Sequence, residues 1–202
     1  AGGKGQRLMP ITKTLPKPLI KINNKEILSY VIDGLNRFEY SKMIILTGYK
    51  YKLINNFLKK KYKNNNKIST QFTGVKSDIL SRIKSSFNYL SQNVLICYGD
   101  TLADINLNKL YRFYQKKKNK MIITTYPYKS SFGVILKNKS GKIISFKEKP
   151  ELNFDINIGY MLLKKKNLQP ILKFKTFEKF LSNIISKDNV YSYRHFGKHI
   201  TI

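Results

Sequence analysis

Between Ile27 and Tyr126 the apolar residues switch repeatedly between a helical and an extended period, and few folds accommodate that rhythm. Ile27, Val31, Leu35 and Phe38 recur at helical spacing and are followed by the extended run KMIILTG at 42–48. A helix carrying Ile54, Phe57 and Leu58 then precedes ISTQF at 68–72, and one carrying Leu80, Ile83, Phe87 and Leu90 precedes VLICY at 94–98. Leu107, Leu110, Tyr111 and Tyr114 mark another helix, before MIITTY at 121–126. Strands that alternate with helices of this length need crossover connections, which predicts a mainly parallel sheet covered on both faces.

From residue 127 the rhythm changes. FGVILK and KIISFK flank an NKSG turn and predict a hairpin; IGYMLLK reads as a strand, TFEKFLSNIIS as a helix and VYSYRH as the last strand. The expected organisation is an α/β part over 1–126 and an α+β part over 127–202, both within one continuous domain, since no internal repeat or low-complexity linker separates them.

A chain of 202 residues, 42% hydrophobic, can bury one sizeable core. No apolar run approaches the ~18 residues needed to span a bilayer and no charged-then-apolar leader is present, so no membrane contact and a cytoplasmic setting are expected. Cys97 is the single cysteine, which excludes an internal disulfide, and its place in VLICY predicts a buried, inert thiol. The formal net charge of +28 is what a polyanion binder shows, but the lysines are dispersed and far outnumber the arginines. KKKYK (59–63) and KKKNK (116–120) fall on polar faces or ends of predicted helices. A solvated basic surface is the expected reading, and nucleic acid is not an expected partner.

The chain opens with AGGKGQRLMPITKTLPKP. Beyond the carboxyl ends of parallel strands a glycine loop brings backbone N–H groups against phosphates, because only glycine lets the chain come so close. The stretch is neither G-x-G-x-x-G nor G-x-x-x-x-G-K-[ST], and GGKG alone reads equally as a turn. The longer pattern GGxGxRLxPxTxxxPKP resembles the N-terminal signature of the sugar-1-phosphate nucleotidyltransferases. Gly2, Gly3, Gly5, Arg7, Leu8, Pro10, Thr12, Pro16, Lys17 and Pro18 stand where that motif has them. The resemblance continues through SKMIILTGYKYKLINNFL (41–58), TG…SRIK (73–84), CYGDTLADINL (97–107), SFGV, FKEKP (146–150) and NIGYMLL (157–163). The YGDxxAD form is most similar to the glucose-1-phosphate cytidylyltransferase branch.

The resemblance implies a three-layer α/β/α, Rossmann-like, mainly parallel mixed sheet of the nucleotide-diphospho-sugar transferase type, with a smaller α+β sugar-binding part. It implies that Gly2, Gly3, Gly5, Arg7, Thr73 and Gly74 bind the nucleotide and that Arg7 and Lys17 hold the triphosphate. Asp100 would hold Mg²⁺, while Gly133, Glu148, Lys149 and Asn157 would bind the sugar phosphate. The implied partners are a nucleoside triphosphate and a sugar 1-phosphate, CTP and a hexose or heptose phosphate being slightly preferred, in polysaccharide biosynthesis; a homo-oligomer stays open. Outside the resemblance, Asp100 reads as a Gly-Asp turn residue and Glu148 with Lys149 as an exposed edge pair. His195 and His199 are expected to be structural or surface residues, and Asp104 a second acid near Asp100 or a helix N-cap.

Three departures qualify the match. The family's first strand has no counterpart from Ala1 onward and is expected upstream; a second metal-binding acid is expected just beyond Ile202. Leu80 and Ser81 replace small glycines, which weakens the choice of base. The rival readings are a phosphocholine-type cytidylyltransferase, a catalytically inactive nucleotidyltransferase-like subunit, and a nucleic-acid binder, which would bind with a steep salt dependence.

Overall fold

Six consecutive buried residues, Ile158 to Leu163, mark the centre of the fold, since only a strand covered on both faces reads that way. The computed structural model describes residues 1–187 and 190–202. Three short 3₁₀ turns, Gln6–Leu8, Ile11–Lys13 and Lys17–Leu19, lead into a small hairpin of β1 (Lys21–Ile22) and β2 (Lys25–Glu26). Then follow α1 (Ile27–Leu35), β3 (Met43–Thr47), α2 (Tyr51–Lys61), β4 (Ile68–Phe72), α3 (Ile79–Ser86), β5 (Asn93–Cys97), β6 (Thr101–Ala103) and α4 (Leu107–Lys116). The remainder comprises β7 (Met121–Lys129), β8 (Val134–Lys137), β9 (Ile143–Lys147), β10 (Glu151–Lys164), α5 (Lys165–Leu168), α6 (Phe177–Ser186), β11 (Val190–Arg194) and β12 (His199–Thr201).

The main sheet has the order β11-β7-β10-β5, with β11 parallel to β7 and β10 antiparallel to both neighbours. Side chains of β10 alternate between two cores. Tyr160 and Leu162 join Leu110 and Tyr114 of α4, whereas Met161 and Leu163 join Leu80 and Ile83 of α3 and Phe180 and Ile184 of α6. Helices therefore cover both faces, and the fold is α/β in three layers. Because β10 lies between β5 and β7, the segment after residue 127 supplies an inner strand of the sheet.

β3 and β4 form a separate parallel pair, packed through Ile45 on Ile32 of α1 and on Ile54 and Leu58 of α2. An apolar slot of about 1140 Å³ separates β3 from β5, lined among others by Ile32, Ile45, Ile83, Leu95, Cys97 and Leu162. Cys97 is half-buried, not fully buried as its apolar run predicts, and desolvation pushes its thiol up to about 12, which keeps it protonated. Lys59, Lys60 and Lys61 occupy the last turn of α2 and Lys116 that of α4, where cations meet the negative helix end.

Several local expectations are corrected. α1 stops at Leu35, short of Phe38, and Phe87 begins a 3₁₀ turn after α3 instead of extending the helix to Leu90. VYSYRH contains β11, yet the last strand is β12, which pairs antiparallel with β6. Asp104 does not cap α4: Asn106 does, its side chain accepting from the Lys109 N–H at 3.0 Å. Asp104 Oδ1 instead accepts from the Lys198 N–H at 2.7 Å and meets His195 Nε2 at 2.9 Å. His195 is thereby a buried structural residue, and the His199 ring lies 4.9 Å from that of Tyr126.

Candidate active site

The opening loop is shaped by glycine and threonine together. Gly5 takes a left-handed backbone (φ 62°), and buried Thr12 donates its hydroxyl to the Gly5 carbonyl at 3.0 Å, folding the loop back on itself. Tyr49 and Lys50, just after β3, hold it from outside. The Tyr49 N–H donates to Gly2 O at 3.0 Å and its hydroxyl to Thr12 O at 3.0 Å, while Lys50 Nζ donates to Lys13 O and Thr14 O at 2.6 and 2.9 Å. Gly2 is buried, whereas Gly3 faces open space and Arg7 is exposed on the first 3₁₀ turn.

The third 3₁₀ turn, Lys17–Leu19, has Pro16 and Pro18 about Lys17, fixing its direction. Lys17 Nζ donates to Asp100 Oδ2 at 2.7 Å, across 83 positions of sequence, and also to the carbonyl of Ile202. The two side chains are 19% and 39% exposed, so the pair contributes only about 0–1 kcal/mol to stability. Its meaning is positional, since it joins the glycine loop to the end of β5. Through the β12–β6 pairing, the Ile202 N–H donates to Asp100 O at 3.1 Å, so the chain at Ile202 runs beside Asp100.

On the far side of the loop Thr73 follows β4. Its N–H and its hydroxyl both donate to Thr47 O at 2.9 Å. Gly74 follows in a left-handed conformation (φ 97°). Between Thr73 and the opening loop lies Arg82 of α3, which is buried. Its Nη1 donates to Thr73 Oγ1 at 3.3 Å, and Nε and Nη2 donate to Ser77 O at 3.1 and 2.8 Å. Burial lowers the Arg82 pKa, with Asp78 acting in the opposite sense. A Cβ on Gly2 would lie 1.5 Å from Nη1, and one on Gly48 would lie 2.8 Å from Gly2 O. Glycine at both positions is what admits the guanidinium. Arg82 was not among the residues assigned a role from sequence, although a charge between Ile79 and Ile83 on a buried helical face was its signal.

The residues expected at the sugar phosphate are arranged differently. Asn157 lies on β10 opposite Thr125, and its Oδ1 accepts from the Gly159 N–H at 2.8 Å. Gly159 (φ 79°) is pressed against the Tyr98 ring, which a Cβ would meet at 2.4 Å. Burial raises the Tyr98 pKa, hydrogen bonding to Asn157 lowers it, and the Asp100 charge raises it, so Asn157, Tyr98 and Asp100 share one neighbourhood. Gly133 lies at the start of β8 beside Phe146 and Glu148. Glu148 and Lys149 are 62% and 66% exposed, with 3.9 Å between their charges, and Lys149 has φ 43°.

Asp100 is the carboxylate that faces the opening loop, and among the described residues no three His, Cys, Asp or Glu side chains gather into a metal site. One carboxylate fits Mg²⁺, which keeps waters and takes most of its other ligands from substrate phosphates. The site therefore joins a glycine loop, a lysine and an acid at the ends of β3 and β5, suited to gathering phosphates.

Residues 1–193 match the family model described as Nucleotidyl transferase, and the chain belongs to this family, the sugar-1-phosphate nucleotidyltransferases. A Bacillus subtilis protein named "Probable glucose-1-phosphate cytidylyltransferase" is 30% identical over 220 residues, covering 97% of this chain and 86% of that one. The D-glycero-alpha-D-manno-heptose 1-phosphate guanylyltransferase of Aneurinibacillus thermoaerophilus is 30% identical over 154 residues, with 73% of this chain and 65% of that one covered. A UTP--glucose-1-phosphate uridylyltransferase of Synechocystis is 27% identical, and there the match spans 46% of the relative's length. Among solved structures, HddC from Yersinia pseudotuberculosis superposes with a TM-score of 0.73 at 21% identity, covering 100% of this chain and 91% of that one. These superpositions speak to the fold. Among the described residues no helix is long and apolar enough to cross a membrane.

Proposed function

We propose that this chain transfers the nucleotidyl group of a nucleoside triphosphate to a sugar 1-phosphate, with CTP and a hexose or heptose 1-phosphate preferred, in the synthesis of nucleotide sugars for polysaccharides. The observation that carries the reading is the 2.7 Å contact of Lys17 with Asp100, which brings the opening loop to the end of β5. A sugar-phosphate oxygen attacks the α-phosphorus, the bond from that phosphorus to the oxygen bridging to the β-phosphate breaks, and pyrophosphate leaves with the electron pair. No protein nucleophile is needed. The barrier is lowered by alignment and by cations facing the charge that develops.

Lys17 supplies one such cation at the phosphates, and Arg7 is available as another from its exposed turn. Gly2, Gly3, Gly5, Thr73 and Gly74 take the nucleotide. Gly133, Glu148, Lys149 and Asn157 take the sugar phosphate. Asp100 is the carboxylate that would hold Mg²⁺, whose contribution when bound is to screen the two like-charged substrates from one another. The bound pair of small substrates fits a cytoplasmic enzyme. The test is pyrophosphate release with CTP, GTP, UTP and dTTP crossed against a panel of sugar 1-phosphates and phosphocholine. Release with CTP and one sugar phosphate is the expected result. Release with phosphocholine alone, or none from folded protein, overturns it.

A further inference from the structure

Strand β7 carries Pro127, which has no N–H to give to a ladder, and the neighbouring strand departs from register there. Glu151 of β10 pairs with Lys129 and Asp155 with Pro127, so four steps along β10 answer two along β7. The extra residues bend the strand, and Phe154 is 56% exposed with its ring stacked on that of Tyr128 at 5.4 Å. This irregular stretch separates two of the residues proposed for the sugar phosphate. Lys149 stands two positions before Glu151, and Asn157 two positions after Asp155.

One side chain from a third strand ties the stretch together. Arg194 ends β11, opposite Thr125 of β7, and its guanidinium reaches across β7 to both ends of the irregular segment. Nη2 donates to Glu151 Oε1 at 3.0 Å, and Nε lies 3.3 Å from Asp155 Oδ1. The other Asp155 oxygen, Oδ2, accepts from the Thr125 hydroxyl at 3.1 Å, and the Thr125 and Ser192 hydroxyls are 2.7 Å apart. With Thr125 donating to Asp155, Ser192 donates to Thr125. The Phe196 ring, 5.6 Å from the guanidinium carbon, steadies Arg194 in turn. An open pocket of about 690 Å³ runs along these residues, and of residues 151–155 only Leu152 is half-buried. Side-chain packing therefore does little to hold the stretch, and the Arg194 fork does most of it.

Resting on the nucleotidyltransferase reading, we propose that Arg194 is a positioning residue for the sugar phosphate, fixing the separation of Lys149 and Asn157 by holding Glu151 and Asp155 in one fork. It acts through the strand, without touching either substrate. The backbone that carries the two residues is held, and the exposed Lys149 side chain is left to order on the substrate. Because Arg194, Glu151 and Asp155 are partly exposed, the fork adds little to stability. Its worth is geometric: a planar guanidinium meets two carboxylates at once, which the single point charge of a lysine cannot do. A displacement of about an ångström at either residue is enough to weaken a two-point grip on a small substrate.

The test measures pyrophosphate release with nucleotide and sugar 1-phosphate varied separately, for the native protein, Arg194→Met, Arg194→Lys, Glu151→Gln and Asp155→Asn. Equilibrium binding of glucose, mannose and heptose 1-phosphates is measured alongside. Arg194→Met should raise the KM for the sugar phosphate about tenfold while the KM for the nucleotide and kcat stay within about threefold. Arg194→Lys should recover only part of the loss. Glu151→Gln and Asp155→Asn should reproduce it, which a direct contact of Arg194 with substrate would not bring about. Combined with Lys149→Ala, Arg194→Met should give an effect well below the product of the two single effects, since it passes through the residue already removed. If Arg194→Met does not fold, Glu151→Gln carries the same measurement. An unchanged KM, equal losses for both substrates, or single effects that multiply in full would overturn the assignment. Weaker binding of sugar phosphate by the variants, without pyrophosphate release from any form, supports it while the activity reading falls. Binding of no sugar phosphate at all removes both.

Discussion

Lys17 and Asp100 meet where the opening loop, folded back by buried Thr12 and held by Tyr49 and Lys50, reaches the end of β5, whereas Glu148 and Lys149 stand at the end of a hairpin whose strands, among the described residues, pair only with each other. On that hairpin and the turn before it, Phe132, Ile135, Ile144 and Phe146 are all more than half exposed. The end proposed for the nucleotide is already organised by these contacts. The hairpin end has fewer restraints, and a sugar phosphate bound there as proposed would supply the order at a cost in side-chain freedom. On the proposed function, the phosphate contacts are then fixed in advance and the sugar contacts form with the substrate.

The comparison breaks most directly at Asp100. Asp100→Asn should lower the rate of pyrophosphate release by about a thousandfold with an unchanged melting temperature, since the carboxylate's ion pair adds little stability. Undiminished release would remove Asp100 from the chemistry. Next in size is Gly159→Ala, where a Cβ must enter the Tyr98 ring from a left-handed backbone. A loss of about 2–4 kcal/mol in chemical denaturation is expected. A mild effect would mean that the wall beside Asp100 yields as readily as the hairpin.

Lys149→Ala tests the open end. A rise of about tenfold in the KM for the sugar phosphate, with little change in kcat or melting temperature, is the expected signature of an exposed binding cation. A stability loss would instead show the hairpin to be anchored. The smallest effect concerns Glu26 at the start of α1. A hydrogen bond from Lys61 holds its carboxyl at about 2, against an ordinary 4.5, with burial opposing. The native protein therefore gains this stabilisation fully above pH 4.5 and loses it progressively as the pH falls toward 2. Melting curves of Glu26→Gln should be flatter across that window.

The βα rhythm was legible because each strand and helix carries its own period, so every strand from β3 to β5 and β7 falls where its apolar run predicts. What escaped was set by tertiary pairing. β6 and β12 span three residues each, too few for a period to show, and exist because they bind one another. Asp104 looked like a cap from local sequence, but a partner 94 positions away, the Lys198 N–H, claims it. Within the site, the Pro-Lys-Pro turn and the Gly-Asp step were visible as motifs. Arg82 was not, because its meaning depends on Gly2 and Gly48, which approach it only when β3 and α3 are in place.

β3 leads through Thr47 to Gly48 beside Arg82, and β5 leads through Cys97 to Gly99 and Asp100. The apolar slot lies between these two strands. Its width is therefore a caliper setting for the site: sheet neighbours stand about 4.8 Å apart, so one extended segment seated in the slot would fix the flanking strands about 10 Å from each other. A change of an ångström in that spacing would be delivered, along two stiff strands, as a change in the span from Arg82 to Asp100. The distance from Gly48 to Asp100 is in that sense set by the spacing of β3 and β5 as well as by the loops that follow them.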